Sequence, residues 1–380
     1  MTGDVIADVA VHVLRVTPKT LWTFIVLRTA GGLTGTGEAT LTGRESGLAA
    51  TAARWRGAWI GEPVAPDLTG RTTGCASLVE AAVASAFDQA LWDILAQSRG
   101  ERLAQTLGGL HRERVPLYAN INRGTLDRSP AGFAASARRA LAHGYDAFKI
   151  APFDELAPAL EDRVFDRGLE RGLERIAAVR EAIGPSRDLM VDCHWRFTET
   201  SAARMIAAVS AHGLYWVECP LPETADNLAA LKRLRGLANA RGMRLAGCEE
   251  GIRTDGFAPF LEAGAYDVMM PDVKYVGGLH EMLRIADRLR AHGVAVSPHN
   301  PSGPVCHAAS LHVCAAVPVL DRLEVQFDET PLFAALAGGA LPVPKAGVSP
   351  LPDAVGLGIA LDPGLTQSLA VDVAAGARVA

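Results

Sequence analysis

Short apolar segments alternate with helical segments through most of this 380-residue chain. Eight of these segments predict strands, spaced about 25 to 30 residues apart as in a (β/α)8 barrel. Their bulky apolar composition is typical of parallel strands that are buried on both faces. The predicted strands are Tyr118–Asn122, Ala147–Ile150, Leu189–Asp192, Tyr215–Glu218, Leu245–Glu249, Asp267–Asp272, Val294–His299 and Leu323–Gln326. We therefore expect an α/β fold built on a TIM-like (β/α)8 barrel.

The sequence on both sides of this repeat predicts a second domain. The segments IADVAVHVLRV, LWTFIVLRTAGG and TGTGEATLTGRE alternate apolar and polar residues between Gly pairs, as in a β-meander. Ser77–Gln97 has the apolar spacing of a helix. The tail from Phe333 is rich in Gly, Pro and Ala, and we expect it to return to the N-terminal domain. The predicted domains are an α+β capping domain at 1–114, a barrel at 115–332 and a C-terminal segment at 333–380 that completes the cap.

Composition excludes several classes of function. The net charge is −5 and Lys and Arg form no cluster, which argues against nucleic-acid binding. No apolar stretch is long enough to span a bilayer, and the N-terminus lacks the pattern of a signal peptide. The six cysteines form no CxxC pair, which fits a reducing compartment. We expect a cytoplasmic protein with a small-molecule substrate.

Three acids stand at the ends of three consecutive predicted strands: Asp192, Glu218 and Glu249. Because parallel strands share one C-terminal edge, the three carboxylates are expected to converge at the barrel mouth. Such hard oxygen ligands suit Mg²⁺. The alternative is that each acid only caps the following helix, and a register slip of one residue would exchange Glu249 with Glu250. Each acid adjoins a cysteine, whose thiol should face the barrel wall because adjacent strand residues point to opposite faces.

Other polar residues occur at the predicted strand ends or just beyond them. They are Asn122, Lys149, His194, Arg196, Asp272, His299 and Glu324. An Asp and a His on neighbouring strands can form a dyad, in which the carboxylate holds one imidazole nitrogen and makes the other more basic. Beside a divalent metal, such a dyad suits the removal of a proton next to a carboxylate group.

Together these motifs resemble the enolase superfamily, and within it the mandelate racemase-like branch. GTGEAT at Gly35–Thr40 is similar to part of the family's capping domain, and AFDQALWDILAQ to the helix before its barrel. The resemblance covers nearly the whole chain. It implies a Lys or His base with Mg²⁺ stabilising an enediolate, a mechanism carried over from the superfamily, and a homo-oligomer. It also implies these residue roles: metal ligands Asp192, Glu218 and Glu249, a dyad of Asp272 and His299, and a substrate-carboxylate contact from Glu324.

The sequence departs from the branch at the end of the second barrel strand. The branch often has Lys-x-Lys there, and its second Lys serves as a base. Here the run is Lys149-Ile150-Ala151, so only the first Lys is matched. A racemase needs acid/base groups on both faces of the α-carbon, and two-base racemisation is therefore disfavoured.

The third strand narrows the expected activity further. Asp192-x-His194-x-Arg196 resembles the pattern of galactonate-type acid-sugar dehydratases. The resemblance implies that His299 removes the C2 proton and that His194 protonates the departing C3 hydroxyl. The expected function is a Mg²⁺-dependent dehydratase that converts an aldonate or aldarate into a 2-keto-3-deoxy acid.

Alternatives remain open for the residues and for the reaction. His194 could donate a hydrogen bond to the substrate or hold Asp192, and Lys149 could balance charge, bind the substrate carboxylate or act as the base. Arg196 could clamp the substrate or be a solvated loop charge, and Asn122 could face a sugar hydroxyl. A cycloisomerase of an aldarolactone or an epimerase would use the same enediolate. An aldolase-type lyase and a non-catalytic binding protein fit less well, since every expected ligand is present.

Overall fold

The computed structural model describes residues 3–65, 75–158 and 160–373. Its N-terminal part is an antiparallel meander of three strands, β1 (Ile6–Arg15), β2 (Leu21–Thr29) and β3 (Thr34–Glu38). Three helices follow, α1 (Glu45–Trp59), α2 (Leu78–Arg99) and α3 (Leu103–Thr106). The predicted α+β arrangement of this part is confirmed.

Helix α2 lies at the centre of the cap. The Ser77 side chain accepts the Glu80 backbone N–H at its N-terminus, and Gly100 ends it in a left-handed conformation with φ 66°. Every residue from Ala81 to Ala96 is buried. Strand β3 crosses this helix closely, because a Cβ at Gly35 or Gly37 would overlap backbone carbonyl groups of α2.

The second part is a curled parallel sheet with helices between its strands. In spatial order the strands run β10, β9, β8, β7, β6, β5, β4 and β11. Their bounds are β4 (Arg114–Asn120), β5 (Ala147–Ile150), β6 (Asp188–Asp192), β7 (Trp216–Glu218), β8 (Arg244–Gly247), β9 (Val268–Met269), β10 (Ala295–Val296) and β11 (Leu323–Gln326). The intervening helices are α4 (Pro130–Ala142), α5 (Asp162–Ile183), α6 (Glu199–Val209), α7 (Leu228–Asn239), α8 (Arg253–Ala263), α9 (Leu279–Ala291) and α10 (Pro304–Ala316).

The two ends of this sheet, β10 and β11, meet without a ladder between them in the described residues. Two backbone hydrogen bonds bridge the gap, from Asp321 N–H to Val296 O at 2.8 Å and from Glu324 N–H to Pro298 O at 3.3 Å. The parallel α/β architecture and the capping domain are thus observed, whereas a fully closed barrel stays a prediction.

Strands β9 and β10 are shorter than the sequence predicts. Asp267–Asp272 and Val294–His299 were the expected ranges, but each ladder ends before a proline, Pro271 or Pro298. Proline has no N–H to donate to a ladder, so the chain leaves the sheet there and the following polar residue lies in a loop.

The C-terminal segment contacts both parts of the molecule. Strand β12 (Val348–Pro350) pairs antiparallel with β4, and helices α11 (Leu332–Leu336) and α12 (Pro363–Ser368) flank it. Farther along, Ala370 bridges to Leu14 on β1. The tail thus contacts the N-terminal meander at this point, and the expectation that it completes the cap stays a prediction. The boundaries at 114 and 332 stay predictions, and residues 374–380 lie outside the described part.

Within residues 3–65, 75–158 and 160–373, no helix combines the length and the apolarity that crossing a bilayer requires.

The close approach of β3 to α2 makes a stability prediction. Gly37→Ala should lower the free energy of unfolding by about 1–3 kcal/mol, because its new methyl group overlaps the Ala86 carbonyl. Gly57→Ala is the matched control, since that glycine lies in α1 with nothing within 4 Å of a built Cβ. It should be neutral or stabilise by up to about 1 kcal/mol. Urea unfolding measures both, and equal stabilities would contradict the packing described.

Candidate active site

The three predicted metal ligands do come together at the C-terminal edge of the sheet. Asp192 ends β6, Glu218 ends β7, and Glu249 lies two residues beyond β8. Each offers one carboxylate oxygen, and these oxygens lie within 4.8 Å of one another. All three residues are buried, whereas Glu250 is exposed, so the expected register holds.

The backbone around these acids differs from simple strand alternation. Cys219 and Cys248 have left-handed backbones, with φ 45° and 67°. The chain therefore turns sharply beside two of the acids, and the Cys219 thiol lies 3.8 Å from the Glu249 carboxylate. The prediction that each thiol faces the wall is wrong for Cys219, because alternation applies only while the strand continues.

Lys149 lies among these acids with its ammonium fully buried. Its Nζ is 2.5 Å from Glu218 Oε1, 3.0 Å from Glu324 Oε1 and 3.8 Å from Asp192 Oδ2. Burial alone would lower the pKa of Lys149, but the charges of Glu218 and Glu324 outweigh it and raise the pKa well above its usual value. An ammonium held in this way keeps its proton. This favours a charge-balancing role for Lys149 over the role of a catalytic base.

One ammonium does not neutralise the acids around it. Burial raises the pKa of Glu218 to about 8 despite the neighbouring Lys149. Burial and the charges of Asp192 and Glu218 raise the pKa of Glu249 well above its usual value. Three buried carboxylates with uncompensated charge and converging hard oxygens fit a divalent cation such as Mg²⁺.

The predicted dyad is formed between the loops after β9 and β10. His299 Nδ1 lies 2.7 Å from Asp272 Oδ2. Burial would raise the pKa of Asp272, but the charges of Lys274 and His299 lower it on balance, so the carboxylate accepts the Nδ1–H. The other ring nitrogen, Nε2, lies 3.6 Å from Glu249 Oε2. This nitrogen is therefore directed toward the three acids.

His194 contacts Asp192, one of the three acids. Its Nε2 lies 3.0 Å from Asp192 Oδ2, and its side chain is 43% exposed. The strand ends at Asp192, and His194 and Trp195 have left-handed backbones (φ 46° and 55°), so these residues do not alternate as expected. The Asp192 charge raises the pKa of His194. The contact matches an imidazole that holds Asp192, and the raised pKa also suits a proton donor.

Arg196 and Asn122 contact the backbone of the β5–α5 loop. The Arg196 guanidinium donates to the carbonyls of Asp154 and Leu156, at 3.1 and 2.8 Å. The Asn122 side-chain oxygen accepts the Ala151 N–H at 2.6 Å. Both side chains therefore fix a loop at the C-terminal edge of the sheet, and substrate contacts from either one stay predictions.

Glu324 is buried on β11 and is held from three sides. Besides Lys149, Asn120 Nδ2 donates to its Oε1 at 2.6 Å and the Asn300 N–H to its Oε2 at 3.0 Å. Burial would raise the pKa of Glu324, but Lys149 and His299 lower it on balance. The residue lies where the sequence places it, beside the dyad and the three acids.

Two features of the mouth were not singled out from the sequence. Lys274 donates a hydrogen bond to Asp272. The sequence signal that could have identified Lys274 was its position two residues after Asp272, an acid at the end of a predicted strand. Glu329 joins the cap to the barrel, since it accepts the Thr20 hydroxyl at 2.6 Å and pairs with Arg123 at 3.3 Å. No sequence signal could link residues so far apart in the chain.

Comparison with known families matches both parts of the molecule. Residues 7–108 match the description "Mandelate racemase / muconate lactonizing enzyme, N-terminal domain", and residues 132–365 match "Enolase C-terminal domain-like". The chain belongs to the mandelate racemase / muconate lactonizing enzyme family of the enolase superfamily. The expected family is thereby confirmed.

Curated relatives in this family catalyse reactions of sugar acids. A D-gluconate dehydratase of Thermoproteus tenax is 33% identical over 75% of this chain and 56% of its own length. A D-galactonate dehydratase of Ralstonia nicotianae is 31% identical over 79% of this chain and 76% of its own. A D-galactarolactone cycloisomerase of Agrobacterium fabrum is 34% identical over 73% and 71%. Relatives therefore include both lyases and an isomerase.

A solved structure shares the whole fold. The mandelate racemase/muconate lactonizing enzyme from Jannaschia sp. CCS1 superposes with a TM-score of 0.86 at 25% sequence identity. The superposition covers 97% of this chain and 98% of that one, so the cap, the parallel sheet and the returning tail all belong to the family fold.

The acid cluster predicts a linkage between metal binding and stability. Mg²⁺ should raise the melting temperature of the wild type, because an ion that binds the folded state stabilises it. Glu249→Gln should abolish most of this shift and weaken binding in calorimetry by at least about tenfold, since it removes a ligand. Glu250→Gln is the control, because that neighbouring acid is exposed. Equal Mg²⁺ responses in the two variants would refute the assigned ligands.

Proposed function

We propose that this protein is a Mg²⁺-dependent dehydratase of a sugar acid, an aldonate or an aldarate. One observation carries the proposal: two imidazoles lie beside the three acids, one of them paired with a separate aspartate and the other in contact with one of the acids. His299 is held by Asp272 through Nδ1 and directs Nε2 toward Glu249, and His194 lies against Asp192. Ala151 stands where a second basic Lys would be. One base and one acid are what an elimination needs, and curated relatives include dehydratases.

Asp192, Glu218 and Glu249 would hold the cation. When bound, Mg²⁺ supplies positive charge that offsets the negative charge developing as C2 loses its proton. His299 Nε2 accepts the C2 proton, and Asp272 stabilises the imidazolium that forms. The electrons of the C2–H bond first move into the substrate carboxylate, which gives an enediolate. They then form the C2=C3 double bond as the bond from C3 to its hydroxyl breaks. His194 donates a proton to that hydroxyl, which departs as water, and the remaining enol tautomerises to a 2-keto-3-deoxy acid.

Lys149 and Glu324 act at the floor of the site. Their ion pair at 3.0 Å places a cation and an acceptor beside the three acids and the dyad. The Lys149 ammonium offsets the charge of the cluster, and we propose that it also lowers the cost of bringing a substrate carboxylate there. We propose that Arg196 and Asn122 fix the β5–α5 loop so that this loop lies against the sugar hydroxyls of the substrate.

A cycloisomerase is the second candidate. It needs a single base, so His299 without Lys at position 151 would suffice, and one relative is a galactarolactone cycloisomerase. An epimerase through the same proton abstraction is a weaker candidate, because it needs a proton donor on the opposite face of C2.

We also make proposals about the barrel, the domains, the assembly and the location of the protein. We propose a closed barrel in which β10 and β11 complete the ring, and a division into domains at 1–114, 115–332 and 333–380. We also propose a homo-oligomer in the cytoplasm that acts on a small sugar acid without nucleic-acid or membrane partners.

A substrate panel tests the reaction. Aldonic and aldaric acids incubated with Mg²⁺ should include one that yields a 2-keto-3-deoxy product, detected with semicarbazide, and exchanges its C2 proton in D₂O by NMR. EDTA should stop both signals. Turnover of an aldarolactone alone would establish the cycloisomerase instead, and activity that survives complete chelation would refute the metal.

Separate substitutions of the two histidines test their roles. His299→Asn should reduce both C2 exchange and dehydration by about 10²–10⁴-fold, because the base serves both. His194→Asn should slow dehydration by a similar factor while C2 exchange continues, because the donor acts only when the hydroxyl leaves. His292→Asn, at an exposed site, is the control. Dehydration at the wild-type rate in His194→Asn would exclude it as the acid.

A further inference from the structure

A second buried lysine, Lys274, contacts the aspartate of the dyad. The side chains of Lys274 and Asp272 are 1% and 0% exposed. Lys274 Nζ lies 2.6 Å from Asp272 Oδ2, and its own backbone N–H donates to Oδ1 at 2.8 Å. His299 Nδ1 contacts the same Oδ2 at 2.7 Å. Asp272 therefore accepts three hydrogen bonds, and two of them come from Lys274.

These bonds determine which way the Asp272 carboxylate faces. Turning the carboxylate about its Cβ–Cγ bond would break the bonds at both oxygens together, whereas the His299 bond alone would leave the plane free to tilt. The ammonium also supplies the countercharge that a fully buried carboxylate requires. Lys274 therefore holds the acceptor that in turn holds Nδ1 of His299, and the direction of Nε2 depends on that acceptor.

Lys274 also connects the two loops that carry the dyad. Its ammonium donates to the Ser302 hydroxyl, which lies three residues after His299 on the β10–α10 loop. The Tyr275 ring lies 4.7 Å from the same ammonium and 6.3 Å, centre to centre, from the His299 ring. One cation thus joins the β9 loop, which carries Asp272, to the β10 loop, which carries His299.

The capping domain holds the far side of this connection. The two carboxylate oxygens of Glu38, at the end of β3, accept the backbone N–H groups of Gly303 and Cys306 at 2.8 and 3.0 Å. These groups belong to the first turn of α10, directly after Ser302. The loop that Lys274 contacts is therefore fixed by a buried acid of the cap.

We propose that Lys274 is a positioning residue for the Asp272–His299 dyad, acting through the orientation of Asp272, with Ser302 and Glu38 fixing the loop it holds. This inference rests on the proposed function for its catalytic consequence, since His299 is there the base. The geometric part of the inference concerns only the hydrogen bond between Asp272 and His299, and it can be tested without any substrate.

Lys274→Met keeps the length of the side chain and removes its charge and hydrogen bonds. We expect kcat and the C2 exchange rate to fall together by about a hundredfold, the lower range for loss of a positioned base. KM and the Mg²⁺ dissociation constant should change by less than about threefold, because substrate and metal contacts remain. Lys232→Met, at an exposed position on α7, is the matched control. A KM increase at unchanged kcat would overturn the proposal.

A double-mutant cycle separates positioning from general stability. Lys274→Met should cost no further activity in an Asp272→Asn background, because a residue that acts through Asp272 has nothing left to orient. The double variant also removes both buried charges, so it stays informative if Lys274→Met alone folds poorly. Additive losses in kcat would show that Lys274 acts by another route and would overturn the proposal.

Imidazole NMR gives a readout that needs no turnover. In protein with ¹⁵N-labelled histidine, the Nδ1–H of His299 should give a downfield signal, assigned by its loss in His299→Gln. Lys274→Met should shift or broaden this signal, and Lys232→Met should not. An unchanged signal in Lys274→Met would refute the positioning role. A changed signal in a protein that turns over no sugar acid would leave that role standing and refute the proposed function.

Discussion

The ion cluster around Lys149 is the constraint on which the rest of the site depends. A buried ammonium contacts three buried carboxylates, from Asp192, Glu218 and Glu324. Burial of any one of these charges alone would be costly, so the four groups are stable only together. They come from four strands of one curled sheet. The short strands therefore bring to one point charges that require one another. Within the described part of the chain they provide no lysine contact for Glu249, and a divalent cation can supply the countercharge that this buried acid needs in order to ionise.

The dyad shows a similar arrangement. In each pair a buried ammonium lies beside a buried carboxylate. The distance is 2.6 Å between Lys274 and Asp272 and 2.5 Å between Lys149 and Glu218. The Lys149–Glu218 pair includes a proposed metal ligand, and the Lys274–Asp272 pair contacts His299, the proposed base. In both, the lysine keeps its proton and orders a carboxylate. The group proposed as the base is then the His299 imidazole and neither lysine.

Much of the site could be predicted because the periodicity of the sequence shows where the strands end. Polar residues that end consecutive parallel strands must lie along one edge, so Asp192, Glu218, Asp272 and His299 could be assigned from spacing. Prediction failed where the strand ended. His194 does lie 3.0 Å from Asp192, but a left-handed backbone at φ 46° brings it there and not the expected strand alternation. Strands β9 and β10 were predicted too long for a related reason, since Pro271 and Pro298 end their ladders.

Local periodicity and motifs at strand ends were enough to predict the family, the parallel α/β architecture and the set of charged groups at the C-terminal edge of the sheet. Tertiary structure alone decided how those charges pair. Lys149 contacts acids on β6, β7 and β11, Glu38 of the cap holds the first turn of α10, and Glu329 joins the cap to the loop after β4. Partners that are tens to hundreds of residues apart leave no periodic signal, since their contact is fixed only when the sheet curls and the cap packs on it.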